Sequence, residues 1–337
     1  MPKQIDFLAV GDIVIDQFIK LKDASVHCKI NNEDCEICMR WGDKIPFESM
    51  TEVLAVGNAA NAAVAAARLG LGAGLRAYVG NDENGAKCIA SLERDGVSTA
   101  LVETQAGKHT NYHFVLWYED NRTILVKHEA FDYSVPPARS GEEGPQWLYL
   151  SSLAQNSLPY EQATAAWLAQ HPGVKLAFQP GTFQIEQGVE ALKDIYQQSD
   201  IFFCNKEEAE KILHKPAGSE TRELLRGVQA LGPKVVVISD DTRGAYAREE
   251  SGASWHVPRY PDPRPPREIT GAGDALASTT VAALALGKPL GEALLWGATN
   301  ASAVLQEIGA QKGLLSREQL EHNLQNPPAA FALQKME

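Results

Sequence analysis

The sequence predicts an α/β protein: one mostly parallel β-sheet covered by helices on both faces, with a smaller β-sheet beside it. Three observations carry that prediction. Short apolar runs alternate with helix-length segments from Trp147 to Ser239. Single helical crossovers favour parallel pairing, because a helix returns the chain to the same end of the sheet. Two β-like segments, 13–55 and 111–127, fall outside that alternation. Two stretches of small apolar residues, after Gly57 and after Gly271, read as buried helices.

In order, the first strand is Ile5 to Val10, which stops at Gly11, and a second covers Gln17 to Leu21. Asp23 to Phe47 is polar, cysteine-bearing and weakly periodic, the mark of an irregular insertion. Asn58 to Leu69 is alanine-rich and ends at Gly70; Ala has the best helix propensity and Gly is the usual stop. Leu75–Val79 is a strand, and Glu83–Arg94 is an amphipathic helix ended by Gly96. Asn111–Tyr118 and Arg122–Lys127 flank Glu119-Asp120-Asn121, a hairpin signal. Pro136, Pro137, Gly141 and Gly144 mark a loop. Strands follow near Trp147–Leu150, Val174–Phe178, Asp200–Phe203 and Lys234–Ser239. Helices fall between and around them near Tyr160–Gln170, Ile185–Gln197, Lys206–Leu213 and Glu220–Leu231. After the stiff loop Arg264-Pro265-Pro266-Arg267, three helices close the chain: Gly271–Leu286, Leu290–Ile308 and Arg317–Asn326.

The length of 337 residues is enough for two domains. The placement of elements gives instead one main unit, 1–12, 56–110 and 128–337, and a discontinuous β lid, 13–55 and 111–127. Lys and Arg total 31 against 43 Asp and Glu, a net charge of -12. That balance argues against nucleic acid as a partner, which needs a basic surface. The longest apolar run, Ala275 to Leu286, falls well short of the ~18 residues that span a bilayer, so no membrane partner is expected. Met1 to Val10 lacks a signal-peptide layout, and a cytoplasmic location is the expectation.

Thr270-Gly271-Ala272-Gly273-Asp274 runs directly into an apolar helix. Glycines let backbone N–H groups approach a ligand, and a helix N-terminus adds partial positive charge. Together they suit a phosphate. Asp274 at that helix start fits a base for an incoming hydroxyl, with the phosphoryl group leaving a nucleotide. The plain alternative is an acidic first-turn residue that favours the helix dipole.

Glu268-Ile269-Thr270-Gly271-Ala272-Gly273-Asp274 resembles the C-terminal signature of the PfkB/ribokinase family of sugar and nucleoside kinases. The resemblance runs in order along nearly the whole chain. Gly11 to Asp16 is similar to the family's first strand end. Gly57-Asn58-Ala59-Ala60-Asn61 with Arg68-Leu69-Gly70 resembles the N-terminal signature. Val79-Gly80-Asn81-Asp82 with Gly85 is similar to the next turn, and Asn205-Lys206-Glu207-Glu208 to the Asn-x-x-Glu motif. Ser239 to Ala245 resembles the nucleotide strand and turn, and Gly309-Ala310-Gln311 the closing nucleotide segment.

The resemblance implies a three-layer αβα ribokinase-like fold with a small β-sheet lid. It implies an ATP-dependent kinase acting on a hydroxymethyl group of a small sugar, with Asp274 as base and Gly271, Ala272 and Gly273 as anion hole. Asn205 and Glu208 would organise Mg²⁺ and phosphates; Ser239, Thr242 and Gly244 would hold the nucleotide. Asp16, Gly57, Asn58 and Asn61 would hold the acceptor. A homodimer through the lid is a further expectation of the resemblance. A nucleoside or sugar phosphate is the alternative acceptor, and a non-catalytic ligand-binding regulator the alternative class. The absence of a Gly-x4-Gly-Lys motif speaks against a P-loop kinase, and Gly11-Asp12-Ile13-Val14 lacks a dinucleotide fingerprint.

Departures from the family pattern carry expectations of their own. Glu268 stands where an Asp helps some members bind a monovalent cation; the longer side chain fills that space, so K⁺ activation is not expected. Val56 replaces a glycine beside the substrate and Thr279 a small residue; Asp240-Asp241 read as a solvated turn, with metal binding or selection of an unusual nucleotide as the alternatives. Cys28, Cys35 and Cys38 give a Cys-x6-Cys-x2-Cys spacing in the lid. With His27, or with His109, His113 or His128, they form a candidate Zn²⁺ site; the alternative is three reduced thiols. The odd count of five cysteines argues against a disulfide framework. Lys20, Lys22, Arg40, Lys44, Arg122 and Lys127 read as a solvated cationic face of the lid.

Overall fold

In the computed structural model, which describes residues 4–28, 35–119, 121–133 and 144–336, the chain begins with β1 (Phe7–Val10), β2 (Val14–Leu21), β3 (Ser25–His27), β4 (Glu36–Cys38) and β5 (Phe47–Val56). Helix α1 (Asn58–Arg68), β6 (Ala73–Gly80), α2 (Glu83–Arg94), β7 (Ser98–Gln105), β8 (Asn111–Tyr118) and β9 (Asn121–Leu125) follow. Next are β10 (Trp147–Leu150), α3 (Leu158–Gln170), β11 (Lys175–Phe178), α4 (Thr182–Gln187), α5 (Lys193–Gln198) and β12 (Ser199–Asn205). The chain continues with α6 (Lys206–Ile212), α7 (Thr221–Gln229), β13 (Val235–Ser239), β14 (Ala245–Arg248) and β15 (Ser254–Val257). It ends with α8 (Ala272–Ala285), α9 (Leu290–Val304), α10 (Arg317–Gln325) and β16 (Gln334–Lys335).

Period-two alternation sorts the core into two layers. Phe7 and Ala9 of β1 join one apolar cluster, and Leu8 and Val10 join the other. Trp147 and Tyr149 part from Leu148 and Leu150 in the same way, as do Ile201 and Phe203 from Phe202 and Cys204. The first cluster is filled by α1, α2, α8, α9 and α10, the second by α3, α5, α6 and α7. Both faces of the sheet are therefore covered, which is why its central strands are apolar throughout.

The large sheet has the order β16-β15-β14-β13-β12-β11-β10-β1-β6-β7. From β13 to β7 all neighbours are parallel, and β14, β15 and β16 extend it antiparallel. The two β segments excluded from the alternation pair with each other: β2 runs parallel to β8, from Val14 opposite Asn111 to Lys20 opposite Trp117. With β5 and β9 they make a separate four-stranded lid sheet, β5-β2-β8-β9.

Helix α8 is apolar nearly all round because it is buried between the sheet and α9. Its hydroxyls are satisfied inside: Ser278 donates to Asp274 O, Thr280 to Leu276 O, and Thr279 accepts from Asn300 Nδ2 of α9 at 2.7 Å.

Several expectations need correction. The helix expected over 185–197 is two helices, α4 and α5, parted at Gly188, whose φ is 85°. Strand β7 and the β14–β15 hairpin were not anticipated; β7 is a sheet edge with mixed polar sequence, which looks like loop. Asp120 of the expected hairpin turn, and Pro136, Pro137 and Gly141 of the expected loop, lie outside the described residues.

The lid cysteines are the clearest correction. Strands β3 and β4 form a hairpin with Ser25 opposite Cys38 and His27 opposite Glu36. The next opposed pair is Cys28 and Cys35, and they are joined by a disulfide. A thiolate used in that bond cannot ligate zinc. Cys35 and Cys38 are three residues apart at a strand, so their side chains leave opposite faces. His27 Nε2 instead lies 3.2 Å from Ser25 Oγ. Among the described residues no group of three or more His, Cys, Asp or Glu is placed to hold a metal. The zinc reading and the argument against disulfides both yield to the register of this hairpin. Cys88 and Cys204 are buried in the core, as free thiols.

Candidate active site

In a parallel sheet all the strand carboxyl ends open on one edge, and ligands bind outside that edge. Gly11 and Asp12 follow β1, Gln179 follows β11, Asn205 ends β12 and Ser239 ends β13. The N-terminus of α8 points into the same region. Gly271 caps it with φ 84°, and a Cβ there would come 2.3 Å from Ala310 Cβ, so only glycine fits. The first intrahelical bond is Ala275 N to Gly271 O, which leaves the N–H groups of Ala272, Gly273 and Asp274 without a helical partner. A Cβ built on Gly273 would meet no atom within 4 Å. That face of the turn is open to the cleft.

Asp274 does not cap its own helix. Its Oδ2 accepts from Asn61 Nδ2 at 2.8 Å and its Oδ1 from Gln179 Nε2 at 3.0 Å. Both donors are themselves held. Gln179 Oε1 accepts from the Tyr149 hydroxyl, and Asn61 Oδ1 accepts from Gln311 Nε2 at 3.0 Å. Burial pushes the Asp274 carboxyl above the ordinary carboxylate range, and the charge of Asp16 adds to this; the two amide donors oppose it. Asp274, Asn58, Gln179, Asn205, Glu208, Ser239, Gly271 and Gly273 line a cavity of about 180 Å³.

A larger cleft of about 540 Å³ adjoins it and shares Asn205, Ser239, Gly273 and Leu276. Its walls are apolar at Ala245, Val257, Ile269, Ala298 and Leu305, with cations at Arg122, Lys206 and Arg259 and carboxylates at Glu207, Asp240 and Asp241. Of the residues expected to hold a nucleotide, Asn205, Ser239 and Gly244 line this cleft and Glu208 lines the smaller cavity. Thr242 lines neither and is exposed. Asn205 and Glu208 form a reciprocal capping box at α6: Asn205 Oδ1 accepts from Glu208 N, and Glu208 Oε2 accepts from Asn205 N, both at 2.8 Å. Burial raises the Glu208 carboxyl above its usual range, with Asp274 adding to it and the Asn205 hydrogen bond opposing. Asp240 is not a solvated turn: it is buried and takes a bidentate bond from Arg243 at 2.7 and 2.8 Å.

The residues expected to hold the acceptor lie around the start of the lid. Asp16 sits on β2 with His113 Nδ1 at 3.4 Å, and it lines neither cavity. Gly57 lets α1 approach β1, since a Cβ there would fall 2.6 Å from Asp12 O. Asp12 accepts from the Tyr133 hydroxyl at 2.8 Å and faces His128 Nδ1 at 3.3 Å. The rings of His113 and His128 lie 5.1 Å apart. His109 is apart from them, exposed, 3.8 Å from Asp82.

Gln179 is absent from the residues the sequence singles out, and Arg122 is among them only as a lid cation. Gln179 carried one usable signal, its place immediately after an apolar parallel strand. In sequence Arg122 looks like part of a solvated face. Of the six lid cations, Lys22, Arg40, Lys44 and Lys127 are exposed, and Lys20 is paired with Glu48 at 2.9 Å. Arg122 instead turns inward, 3.7 Å from Glu268 Oε1. Glu268 is buried, and its Oε1 also accepts from Thr270 N at 2.7 Å and from the Thr270 hydroxyl. Arg68 of the N-terminal signature is a staple, donating to Gln311 O, Leu314 O and Asp95.

A family model described as pfkB family carbohydrate kinase matches residues 42–317. The 5-dehydro-2-deoxygluconokinase of Bacillus subtilis is 25% identical over 278 residues, covering 79% of this chain and 85% of that protein. Among solved structures, Arabidopsis thaliana ribokinase, complexed with ribose and ATP, is similar with a TM-score of 0.78 at 18% identity, covering 96% of this chain and 99% of that one. The nucleoside kinase of Methanocaldococcus jannaschii, described as an archaeal member of the ribokinase family, is similar with a TM-score of 0.75 at 18% identity, covering 96% and 99%. The three layers and the separate lid sheet are the ribokinase fold. No described helix is long and apolar enough to cross a membrane.

Proposed function

The chain belongs to the pfkB family of carbohydrate kinases, and from that premise we propose that it transfers the γ-phosphoryl group of ATP to a hydroxymethyl group of a small sugar or sugar acid. The observation that carries this reading is Asp274, held by Asn61 and Gln179 beside the open N-terminal turn of α8. The acceptor hydroxyl gives its proton to the Asp274 carboxylate. Its oxygen forms the new bond to the γ-phosphorus, the bond from that phosphorus to the bridging oxygen breaks, and ADP leaves. The free N–H groups of Ala272, Gly273 and Asp274 meet the charge on the migrating group without reorganising.

The relative's name gives a keto sugar acid as its acceptor, and that supports including acids beside neutral sugars. Asp16, Asn58 and Asn61 offer short polar side chains, and Gly57 room, for hydroxyls that each want a donor and an acceptor. The apolar walls at Val257, Ile269 and Leu305 suit an adenine base, and the shared Asn205 and Gly273 suit its phosphates. Magnesium is bound in such sites by one or two carboxylates plus phosphate oxygens. Glu208 fits: it lines the smaller cavity, and among the described residues only its Oε2 takes a protein hydrogen bond. When bound, the ion would neutralise phosphate charge.

The apolar side chains that the lid leaves exposed, Phe47, Met50, Phe114 and Leu125 among them, support a homodimer through the lid. A cytoplasmic location, where ATP is made and used, goes with this reading. The test is an ATP-consumption screen over pentoses, hexoses, sugar acids, sugar phosphates and nucleosides. Turnover with a sugar or sugar acid is the expected result; turnover with nucleosides alone would replace the acceptor assignment.

A further inference from the structure

Resting on the kinase reading above, we infer that Arg122 binds the phosphate chain of the nucleotide, reaching it from the lid. Arg122 is on β9, at the edge of the lid sheet, yet its side chain is only 23% exposed. It lines the 540 Å³ cleft together with Asn205, Ser239 and Gly273, and on its other side a pocket of about 230 Å³ between the lid strands and Glu268; it does not line the cavity that holds Asp274 and Asn58. Its reach is therefore to the nucleotide side.

The guanidinium is underused as it stands. Among the described residues its side chain makes no hydrogen bond, and the buried Nε is without a partner. Glu268 Oε1, at 3.7 Å, is close enough for charge pairing and too far for a hydrogen bond. Glu268 Oε2 is likewise buried without a donor. A partly buried guanidinium with free N–H groups is costly unless something completes it. Its planar fork matches phosphate oxygens two at a time.

The local charge points the same way. The chain carries a net charge of -12, and Glu207, Asp240 and Asp241 line the same cleft. A polyphosphate needs local cations against that field. Lys206 and Arg259 supply two from the main body, but Lys206 lies 4.0 Å from Asp240 and Arg259 is bonded to Asp262 at 2.5 Å. Arg122 supplies a third from the lid. Glu268 then acts as a positioning residue, holding the Nε side so that the terminal N–H groups face the cleft. Because β9 pairs with β8 and β8 with β2, phosphate binding is tied to the position of the sheet that carries Asp16.

The test compares ATP, ADP and adenosine binding, each measured by calorimetry with Mg²⁺ and without acceptor, in the wild type and in Arg122→Ala, Arg122→Gln and Arg122→Lys. Loss of charge-assisted phosphate bonds should weaken ATP and ADP on the order of tenfold or more in the first two variants. Adenosine affinity should be unchanged, and Arg122→Lys should be intermediate. Glu268→Gln should weaken ATP less than Arg122→Ala does. If one variant fails to fold, the others give the same reading. Unchanged ATP affinity in all three, with wild-type turnover of a sugar, would overturn the role of Arg122 and leave the kinase reading standing. Equal weakening of adenosine and ATP would make Arg122 a structural part of the lid and overturn it too. Failure of the wild type to bind ATP would remove the kinase reading, and this inference with it.

Discussion

Asn61 Nδ2 donates to Asp274 Oδ2 at 2.8 Å across a sequence separation of 213 residues. The amide is locked in that sense, because Asn61 Oδ1 is used by Gln311 Nε2, which also donates to Ala55 O at 2.7 Å. One buried side chain thus ties α1, the start of α8 and the segment after α9 around a single carboxylate. Asn61→Ala removes a hydrogen bond to a charged group and leaves Gln311 short of an acceptor. The expected cost is about 1–3 kcal/mol of stability, read by denaturant unfolding, with a larger relative loss in kcat than in ATP affinity.

Asp274 and Glu208 both have carboxyls raised above the ordinary range. For such groups the native state holds protons that the unfolded chain has released. Their contribution to stability is present at low pH and is lost as pH rises from the ordinary carboxylate pKa through the raised one. Activity should run the opposite way, since the base must be deprotonated. A pH series should show kcat rising along a limb above the ordinary carboxylate range. Thermal stability should lose these two contributions over the same window. In Asp274→Asn the Asp274 share of both trends should disappear.

Gly273 has open space where a Cβ would go, and its φ is not positive. Gly273→Ala should therefore fold well and gain roughly 0.5–1 kcal/mol from helix propensity. The added methyl sits in the turn proposed to face the migrating phosphoryl group, so turnover should fall while the melting temperature holds or rises. A variant both more stable and fully active would separate that turn from the reaction.

The Glu268 carboxylate is occupied by Thr270 and faces Arg122 at 3.7 Å. The guanidinium supplies a positive charge at that position. Activity should be the same in sodium and in potassium buffers at equal ionic strength. In Arg122→Ala a stimulation by potassium should appear, because the carboxylate then faces no cation.

Legibility in the sequence followed how few roles a segment can play. Small residues running into an apolar helix at Thr270 to Asp274 have few uses, and the structure opens that turn onto the cleft. The alternation after Trp147 exposed the parallel sheet because each strand there is buried on both faces. Gln179 was silent: a single glutamine after a strand looks like any polar loop residue until Asp274 is beside it. Arg122 looked like its solvated neighbours, since alternation along β9 says which side of the lid it leaves and not what lies beneath. The lid cysteines misled because spacing says nothing of register; only the pairing of Ser25 with Cys38 sets Cys28 against Cys35.

The central claim is that Asp274 takes the acceptor's proton. The most direct measurement is kcat of Asp274→Asn on the best acceptor, alongside its ATP affinity. General-base catalysis contributes roughly 10²–10⁴-fold, so turnover should fall by that order while ATP affinity stays close to wild type. Turnover near the wild-type value, in a variant that binds ATP normally, would contradict the claim.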